Sequence, residues 1–520
     1  MSGASKSTQS TKEAIFLPQS VTLKSRAVLA GNYDPAKTTV VENQMRQILN
    51  AADAASRFGL GSEIHRMALY FDAGSNKEVE LYAFPLSEAA GAVAQTFTLT
   101  FATNATAAGT WYFRIGSYRN ADLIQIPVSV DDTPDSQAAA LATAITSNGN
   151  IPFTAAAVAG VVTITAKTKS ISASEYQITN NVGKGESESG GLTEAEKSPE
   201  GTTVVIAADV SGLGEADLTP LWAKLEDESF VWITDVVTPY DSTLALDGAR
   251  NVCGNPNLKT GLYGAPVYKP FNSWTAGNEA GSAGLTNAIA LGDSRKENDP
   301  CGSRAELPSS PEVGFEAAAY TAGIVSKSAQ ENAALGYTAK QMPELFGPLV
   351  EADDWTRQSA NRDLAVDAGI TPIAFLTGVG SPYDVSAYWH PLTSEVNAPF
   401  KFIVNQRKIW NIANALKTYQ NSSSLQDRPT VADVSATDFD ANAIDTDIVA
   451  ADVSVLADQW EKKAWIYNAN FTIVNLTVTE DSENPDKYVI YVPTITSGNL
   501  RQKEGNVEVT RNIAAVNVVI

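Results

Sequence analysis

The sequence predicts a multidomain α+β chain: an α/β core, a mixed C-terminal domain, an inserted mostly β domain, and extended terminal arms. Three observations carry this reading. From Thr203 onward, strands alternate with helices at short spacing, which indicates a mostly parallel sheet covered on both faces. A stretch rich in Thr, Ala, Val and Ile, from Thr96 to about Val182, carries short strands separated by turns. Both ends hold apolar, strand-like pieces too few to build a core of their own. At 520 residues one core is not expected, and roughly two to four domains are.

Taken in order, residues 1–24 read as an N-terminal arm, a Ser/Thr/Lys lead followed by Ile15-Phe16-Leu17 and by Val21 and Leu23. Residues 25–95 form the N-terminal part of the core. Arg26–Ala30 is a strand ending at Gly31. An Ala-rich helix follows with Asn50 or Asp53 as its cap, because Ala is the strongest helix former and Asn and Asp satisfy the first free N–H groups. Gly59-Leu60-Gly61 breaks it, and Ser62 caps a second helix carrying Ile64, Met67, Ala68 and Phe71 on one face. Val79–Phe84 is the next strand.

Residues 96–200 read as the inserted β-rich domain plus linker. Its strands are Phe97–Phe101, Thr110–Ile115, Leu123–Val130 and Val161–Ala166. One helix, Ser136–Thr146, is capped by Asp135 or Ser136, and the Gly/Ser/Glu-rich exit 183–201 reads as a flexible linker. Residues 201–380 form the α/β domain, with strands at Val204–Ala207, Phe230–Thr234, Val267–Lys269, Ala288–Leu291 and Ile373–Leu376. Its helices are Leu218–Leu225, Ser242–Arg250 and Glu312–Ala334. Residues 381–504 form the C-terminal domain, with strands at Phe400–Val404 and Ile409–Ala413 and an acidic stretch around Asp433–Asp458. Tyr488–Val492 reads as a buried strand. Residues 505–520 form a C-terminal arm strand in which Val507, Val509, Val516, Val518 and Ile520 recur with strand spacing. Strand material at a chain end needs a sheet edge, its own or a neighbour's.

Charge and composition exclude several function classes. The formal charge of −22 argues against wrapping nucleic acid or docking on anionic lipid. Two cysteines, Cys253 and Cys301, cannot make a disulfide scaffold; two free thiols in a reducing cytosol is the favoured reading, one bridge the alternative. Residues 1–12 carry no apolar core of a secretory signal. No apolar run approaches bilayer length, so no membrane insertion is expected.

Catalytic signals are sparse. With only two histidines, His65 and His390, a histidine-based metal centre is not expected and a Ser-His-Asp site has two bases to draw on. His65 reads as a half-buried helical histidine and His390 as a packed loop residue. Gly281-Ser282-Ala283-Gly284 misses a nucleophile elbow by one glycine. Gly212-Leu213-Gly214 lacks the Lys-Ser/Thr of a phosphate loop. Asp438–Asn442 starts like a calcium loop without its glycine and closing glutamate. Asp235 and Asp241 lie at strand ends, where helix capping is the expected job. No catalytic residue, cofactor or metal is expected.

The stretch Ala52-Asp53-Ala54-Ala55-Ser56-Arg57-Phe58-Gly59-Leu60-Gly61-Ser62, followed by His65-Arg66-Met67, resembles the N-terminal core of contractile tail sheath proteins of the phage Mu type. Three further stretches are similar in the same order: Val231–Tyr240 with Asp241, Arg362–Ile370, and Ile412–Gln420, the last resembling that family's Thr-Thr-Tyr strand. The closing 465–520 agrees in order and character. The resemblance implies that the α/β part is subtilisin-like in shape only. It further implies homo-hexameric rings stacked helically around an inner tail tube, with the arms adding strands to neighbouring subunits through Ile15, Phe16, Leu17, Val21, Leu23 and the five C-terminal apolar residues above. Implied partners are the chain itself, the tube protein, and baseplate and tail terminator proteins, with no direct nucleic acid. The implied location is the virion, after assembly in the host cytoplasm, and the β insert would face outward. A surface adhesin or decoration protein, and an α/β hydrolase, are the competing readings.

Overall fold

The computed structural model describes residues 18–180, 199, 201–227, 231–253, 270–295, 299–338, 340–376, 378–388, 401–422, 425, 430–431, 443–484 and 488–498. The chain divides into two compact units: Leu23–Arg407, and a smaller one made of Met1–Thr22 with Lys408–Ile520.

The larger unit opens with β1 (Arg26–Asn32) and β2 (Arg46–Ile48), then α1 (Ala51–Phe58), α2 (Glu63–Ser75) and β3 (Glu80–Leu86). The helix starts follow local chemistry. The Asn50 side chain accepts from the Asp53 amide, and the Ser62 hydroxyl from the His65 amide, each satisfying a free N–H of the first turn. Between the helices, Gly59 and Gly61 both take positive φ, +100° and +82°, a region that side chains with a Cβ avoid.

The insert follows. It holds β4 (Ala94–Phe101), β5 (Gly109–Ile115), β6 (Ile124–Val128), α3 (Pro134–Ser147), β7 (Phe153–Val158), β8 (Val161–Lys169), a short 3-10 turn at Ile171–Glu175, β9 (Ile178–Asn180) and β10 (Val204–Val210). They form an antiparallel four-stranded sheet in the order β10-β4-β8-β7 and a three-stranded sheet β6-β5-β9. In β4 and β8 buried residues alternate with more exposed ones, as expected for a sheet with one face on a core. Two expectations shift. The strand at Val204–Ala207, assigned from sequence to the α/β part, pairs antiparallel with β4. And α3 is capped by Thr133 rather than Asp135 or Ser136, because Pro134 takes the first helical position.

Next come α4 (Thr219–Glu226), β11 (Asp235–Val237), α5 (Thr243–Cys253), β12 (Asn272–Gly277), α6 (Gly281–Arg295), β13 (Gly302–Glu306), α7 (Gly314–Glu331), α8 (Ser359–Asp367), β14 (Ile370–Ala374) and β15 (Ser381–Pro382). With β1 to β3 they build an eight-stranded sheet in the order β15-β14-β13-β12-β11-β1-β3-β2. All pairs from β3 to β14 are parallel; only the outer strands β2 and β15 run antiparallel. The strand order reverses at β1/β11, the topological switch point of a doubly wound sheet. The sheet is therefore mostly parallel, as the alternating pattern predicts.

The strand expected at Phe230–Thr234 begins later, at Asp235. Before it, the Thr234 hydroxyl takes the Arg26 amide at 3.0 Å, so a side chain replaces a ladder bond. Ala288–Leu291, expected as a strand, lies inside α6. Its buried residues Gly284, Ala288, Gly292 and Arg295 recur at helical spacing, and small residues let the helix pack closely. Val267–Lys269 lies outside the described residues.

In the smaller unit, the strands expected at Phe400–Val404 and Ile409–Ala413 are replaced by α9 (Ile403–Gln420), whose first turns belong to the larger unit. The segment Ile412–Gln420 is thus helical, not a strand. Then come α10 (Thr446–Lys462), α11 (Ala469–Asn475), β16 (Thr477–Glu480) and β17 (Tyr488–Tyr491). The strand expected at Tyr488–Val492 forms but is not buried. It pairs only with β16 among the described residues, and Val489 and Tyr491 are 45% and 64% exposed.

Candidate assembly surfaces and buried polar sites

The switch point is the place to look for chemistry in a sheet of this order. There, the last residue of β1, Asn32, donates its amide to Glu63 Oε2 at 2.6 Å. Ser172 Oγ donates to Glu63 Oε1 at 2.6 Å and Tyr240 Oη to Oε2 at 3.4 Å. Glu63 is 1% exposed, and burial raises its pKa against the pull of these hydrogen bonds. The donors come from β1, the insert and the loop after β11, so the carboxyl acts as a tie between three parts of the fold.

A second carboxyl does similar work. Glu175, from the 3-10 turn of the insert, accepts the Gly314 amide at 2.7 Å. Val313 caps α7 without a side-chain bond, so the insert supplies the acceptor that this helix start lacks. Burial pushes Glu175 up to about 7. Lys167 Nζ, on β8, completes the clamp by donating to the carbonyls of Leu60 at 3.0 Å and Gly149 at 2.9 Å.

Asp235 does not cap a helix. It starts β11 fully buried, and its two oxygens accept from Trp274 Nε1 at 2.7 Å, Ser326 Oγ at 2.6 Å, Thr234 Oγ1 at 2.8 Å and Arg407 Nη2. Asp241 pairs with Arg304, while Ser242 accepts the Ala245 amide at 3.2 Å and holds the start of α5. His65 is buried rather than half-buried, at 2% exposure, and its Nδ1 accepts the Gly61 amide at 2.9 Å. Gly212 approaches the Ser170 carbonyl so closely that a Cβ would sit 2.3 Å from it, a packing role. His390 and Asp438–Asn442 lie outside the described residues.

Of the residues expected to add strands between subunits, Ile15, Phe16, Leu17, Val507, Val509, Val516, Val518 and Ile520 lie outside the described residues. Leu23 is buried in the larger unit, and Val21 is 48% exposed. The described part of the arm is held in the smaller unit by side chains rather than by a ladder. Gln459 accepts the Ser20 amide at 2.7 Å and donates to the Pro18 carbonyl at 2.7 Å. Lys463 Nζ donates to the Ser20 carbonyl at 2.6 Å, and Asn414 to the Val21 carbonyl at 3.4 Å. Gln459 and Lys463 were not singled out from sequence; nothing in a Gln-x-x-x-Lys spacing on a helix distinguishes a backbone clamp from a solvated face.

The β16–β17 hairpin is the second feature. Val478 lies opposite Ile490 and Thr479 opposite Val489, so Val478 and Ile490 share the half-buried face while Thr477, Thr479, Val489 and Tyr491 share the other. Tyr488 Oη reaches the Ile444 carbonyl at 3.4 Å, which fixes the covered side. Among the described residues both outer edges of this hairpin lack a strand partner. Unpaired N–H and C=O groups on an edge are a template for another strand.

No family model matches the chain. Over 201 residues it is 26% identical to the Mu-like prophage FluMu tail sheath protein of Haemophilus influenzae. Over that stretch the chain is similar in sequence to a tail sheath protein. The match takes in 38% of the chain and 37% of that protein, so the chain spans little over a third of the curated relative. Solved structures of tail sheath proteins are similar over more of the length. The sheath tail protein of Desulfitobacterium hafniense gives a TM-score of 0.46 at 10% identity, with 92% of this chain and 98% of that chain covered. The sheath tail protein of Listeria innocua gives 0.40 at 10% identity, with 93% and 94% covered. A chain of the anti-feeding prophage baseplate gives 0.36 at 14% identity, with 58% and 76% covered.

Proposed function

We propose that this protein is a structural subunit of a contractile tail sheath. The observation that carries the reading is the sequence relation to a tail sheath protein over 201 residues. In this reading the chain polymerises as stacked hexameric rings around an inner tube. Its partners are further copies of itself, the tube protein, and baseplate and terminator proteins. Subunits assemble in the host cytoplasm and work in the virion tail, where contraction drives the tube through the host envelope.

Two features support a linkage by strand addition. Among the described residues the hairpin β16–β17 has edges without a strand partner and an exposed Val489/Tyr491 face, and the segments Ile15–Leu17 and Val507–Ile520 carry strand patterns. Main-chain hydrogen bonds from an added strand supply affinity without a preformed pocket. Contraction then needs no nucleotide: subunits repack as rigid bodies between two lattice arrangements while the arms keep them joined. The α/β part contributes a subtilisin-like shape without its chemistry, and the insert faces outward, where added sequence disturbs the lattice least.

Negative-stain electron microscopy at rising protein concentration tests the reading. Hollow striated cylinders with six-fold rings are expected. Removing Val507–Ile520 leaves a folded monomer that does not polymerise; normal cylinders from that truncation would refute the linkage.

A further inference from the structure

We propose that Cys253 and Cys301 form a redox-responsive cross-link site, at which an azo-type or comparable two-electron oxidant joins α5 to β13 by a disulfide. The two residues are 48 positions apart in sequence (301 − 253), yet the fold brings them together. Cys253 ends α5 and Cys301 immediately precedes β13. The Cys253 thiol donates to the Phe271 carbonyl at 3.6 Å. Two residues further on, the Ser273 amide donates to the Cys301 carbonyl at 2.8 Å. Both cysteines therefore sit at the amino end of the β12–β13 pair, inside one apolar cluster with Phe271, Trp222 and Val236. They are free, and 2% and 0% exposed.

The surroundings keep the pair reduced until an oxidant arrives. Cys301 Sγ donates to Asp299 Oδ1 at 3.3 Å, and that carboxylate is fixed by Arg295 Nε at 2.6 Å and the Gly302 amide at 2.8 Å. Burial, the adjacent Cys253 thiol and the Asp299 carboxylate hold the Cys301 thiol well above the usual thiol range. Since the thiolate is the reactive form, the site is slow to oxidise at neutral pH and faster in alkali. With diamide the step balances: two S–H bonds break and one S–S bond forms, while both hydrogens and two electrons reduce the N=N bond to HN–NH. The tie closes a loop that spans β12 and α6, which constrains the unfolded chain. It rests on these two residues alone and stands whatever the chain assembles into.

The test uses the full chain, treated with diamide under native conditions at pH 7 and 9, then alkylated in denaturant. Peptide mass spectrometry without reductant is expected to show one intramolecular 253–301 cross-link and loss of both alkylatable thiols, faster at pH 9. The oxidised chain is expected to melt on the order of 5 °C higher, reversibly with dithiothreitol. Cys253→Ser and Cys301→Ala each leave one alkylatable thiol and no shift; two substitutions of different polarity guard against one failing to fold. Two thiols still alkylated after oxidation, or cross-links between chains only, would overturn the proposal. An unchanged melting temperature in the cross-linked chain would overturn the stapling role.

Discussion

Arg66 and Glu316, 250 residues apart, meet inside the larger unit: Arg66 Nε donates to Glu316 Oε1 at 2.6 Å, and both side chains are fully buried. The same guanidinium reaches Asp122 Oδ2 at 3.2 Å and the Asn150 carbonyl at 3.4 Å through Nη1. One residue of α2 thus ties α7 to the insert. Removing one member of a buried pair strands the other's charge, which typically costs about 3–5 kcal/mol. Arg66→Ala is expected to lose that much in urea unfolding. Combined with Glu316→Ala, the total should fall well short of the sum of the singles. Additive losses would show that the residues act independently.

His65 gives a pH-dependent prediction. Burial first, and the neighbouring Arg66 charge second, push it down to about 3, so it stays neutral in the folded protein and accepts the Gly61 amide. Its folded value lies below its unfolded value near 6.5. The unfolded chain therefore gains protons first as pH falls, and stability is lost from about pH 6.5 down toward 3, by on the order of 1.4 kcal/mol per pH unit at most. Glu175 works in the opposite direction. Raised to about 7 from 4.5, it contributes stability that is whole below 4.5 and is lost as pH rises through 7. The wild-type curve mixes both slopes, so the informative quantity is a difference. His65→Asn keeps an acceptor near Gly61 and removes the titration. Its melting temperature is expected to fall less than that of the wild type between pH 6.5 and 4.5; parallel curves would assign the acid loss elsewhere.

Two glycines set how closely α2 and α7 pack. A Cβ on Gly74 would lie 2.4 Å from the Tyr320 carbonyl, and one on Gly323 2.6 Å from the Phe71 carbonyl. Each contact is with rigid helix backbone, so an added methyl must separate the helices. Gly323→Ala is expected to destabilise by roughly 1–3 kcal/mol through overpacking, despite the better helix propensity of Ala. A stabilised variant in thermal unfolding would refute this reading of the crossing.

How far the sequence was legible follows the range of the forces involved. Helix starts at Asn50 and Ser62 are decided within four residues, and their side chains announce them. Sheet membership is decided at a distance: nothing local tells Val204–Val210 that its partner is Ala94–Phe101 rather than a strand of the α/β sheet. The helix Ile403–Gln420 was misread for a different reason. Its buried positions include Gln406, Arg407, Lys408 and Asn411 beside Ile403, Val404, Trp410, Ile412, Ala415 and Tyr419. They recur at helical spacing, but counting apolar residues alone skips the polar ones. Asp235 was expected to cap a helix because its partners Trp274, Ser326 and Arg407 come from remote segments; Glu63 gave no signal at all for the same reason. The arm's strand pattern falls mostly on residues outside the described ones, and residues 18–24 form no strand; the clamp that holds them, built from Gln459 and Lys463, was not legible.

That clamp supports the final prediction. Gln459 makes two hydrogen bonds to the backbone of residues 18–20, and Lys463 adds a third. Lys463 is partly enclosed, its pKa lowered by burial, and its ammonium lies 4.6 Å from the centre of the Trp465 ring. All of these contacts fall within the smaller unit. Replacing both residues removes the donors and the acceptor while leaving the larger unit's core untouched. The double variant Gln459→Ala/Lys463→Ala is expected to gain protease cleavage around Pro18–Thr22, to keep the main thermal transition within about 1 °C of wild type, and to lose polymerisation. An arm that stays protected in this variant would mean that the backbone itself, and not the side-chain clamp, holds residues 18–22. Cleavage with normal cylinders would mean that assembly does not require an anchored arm.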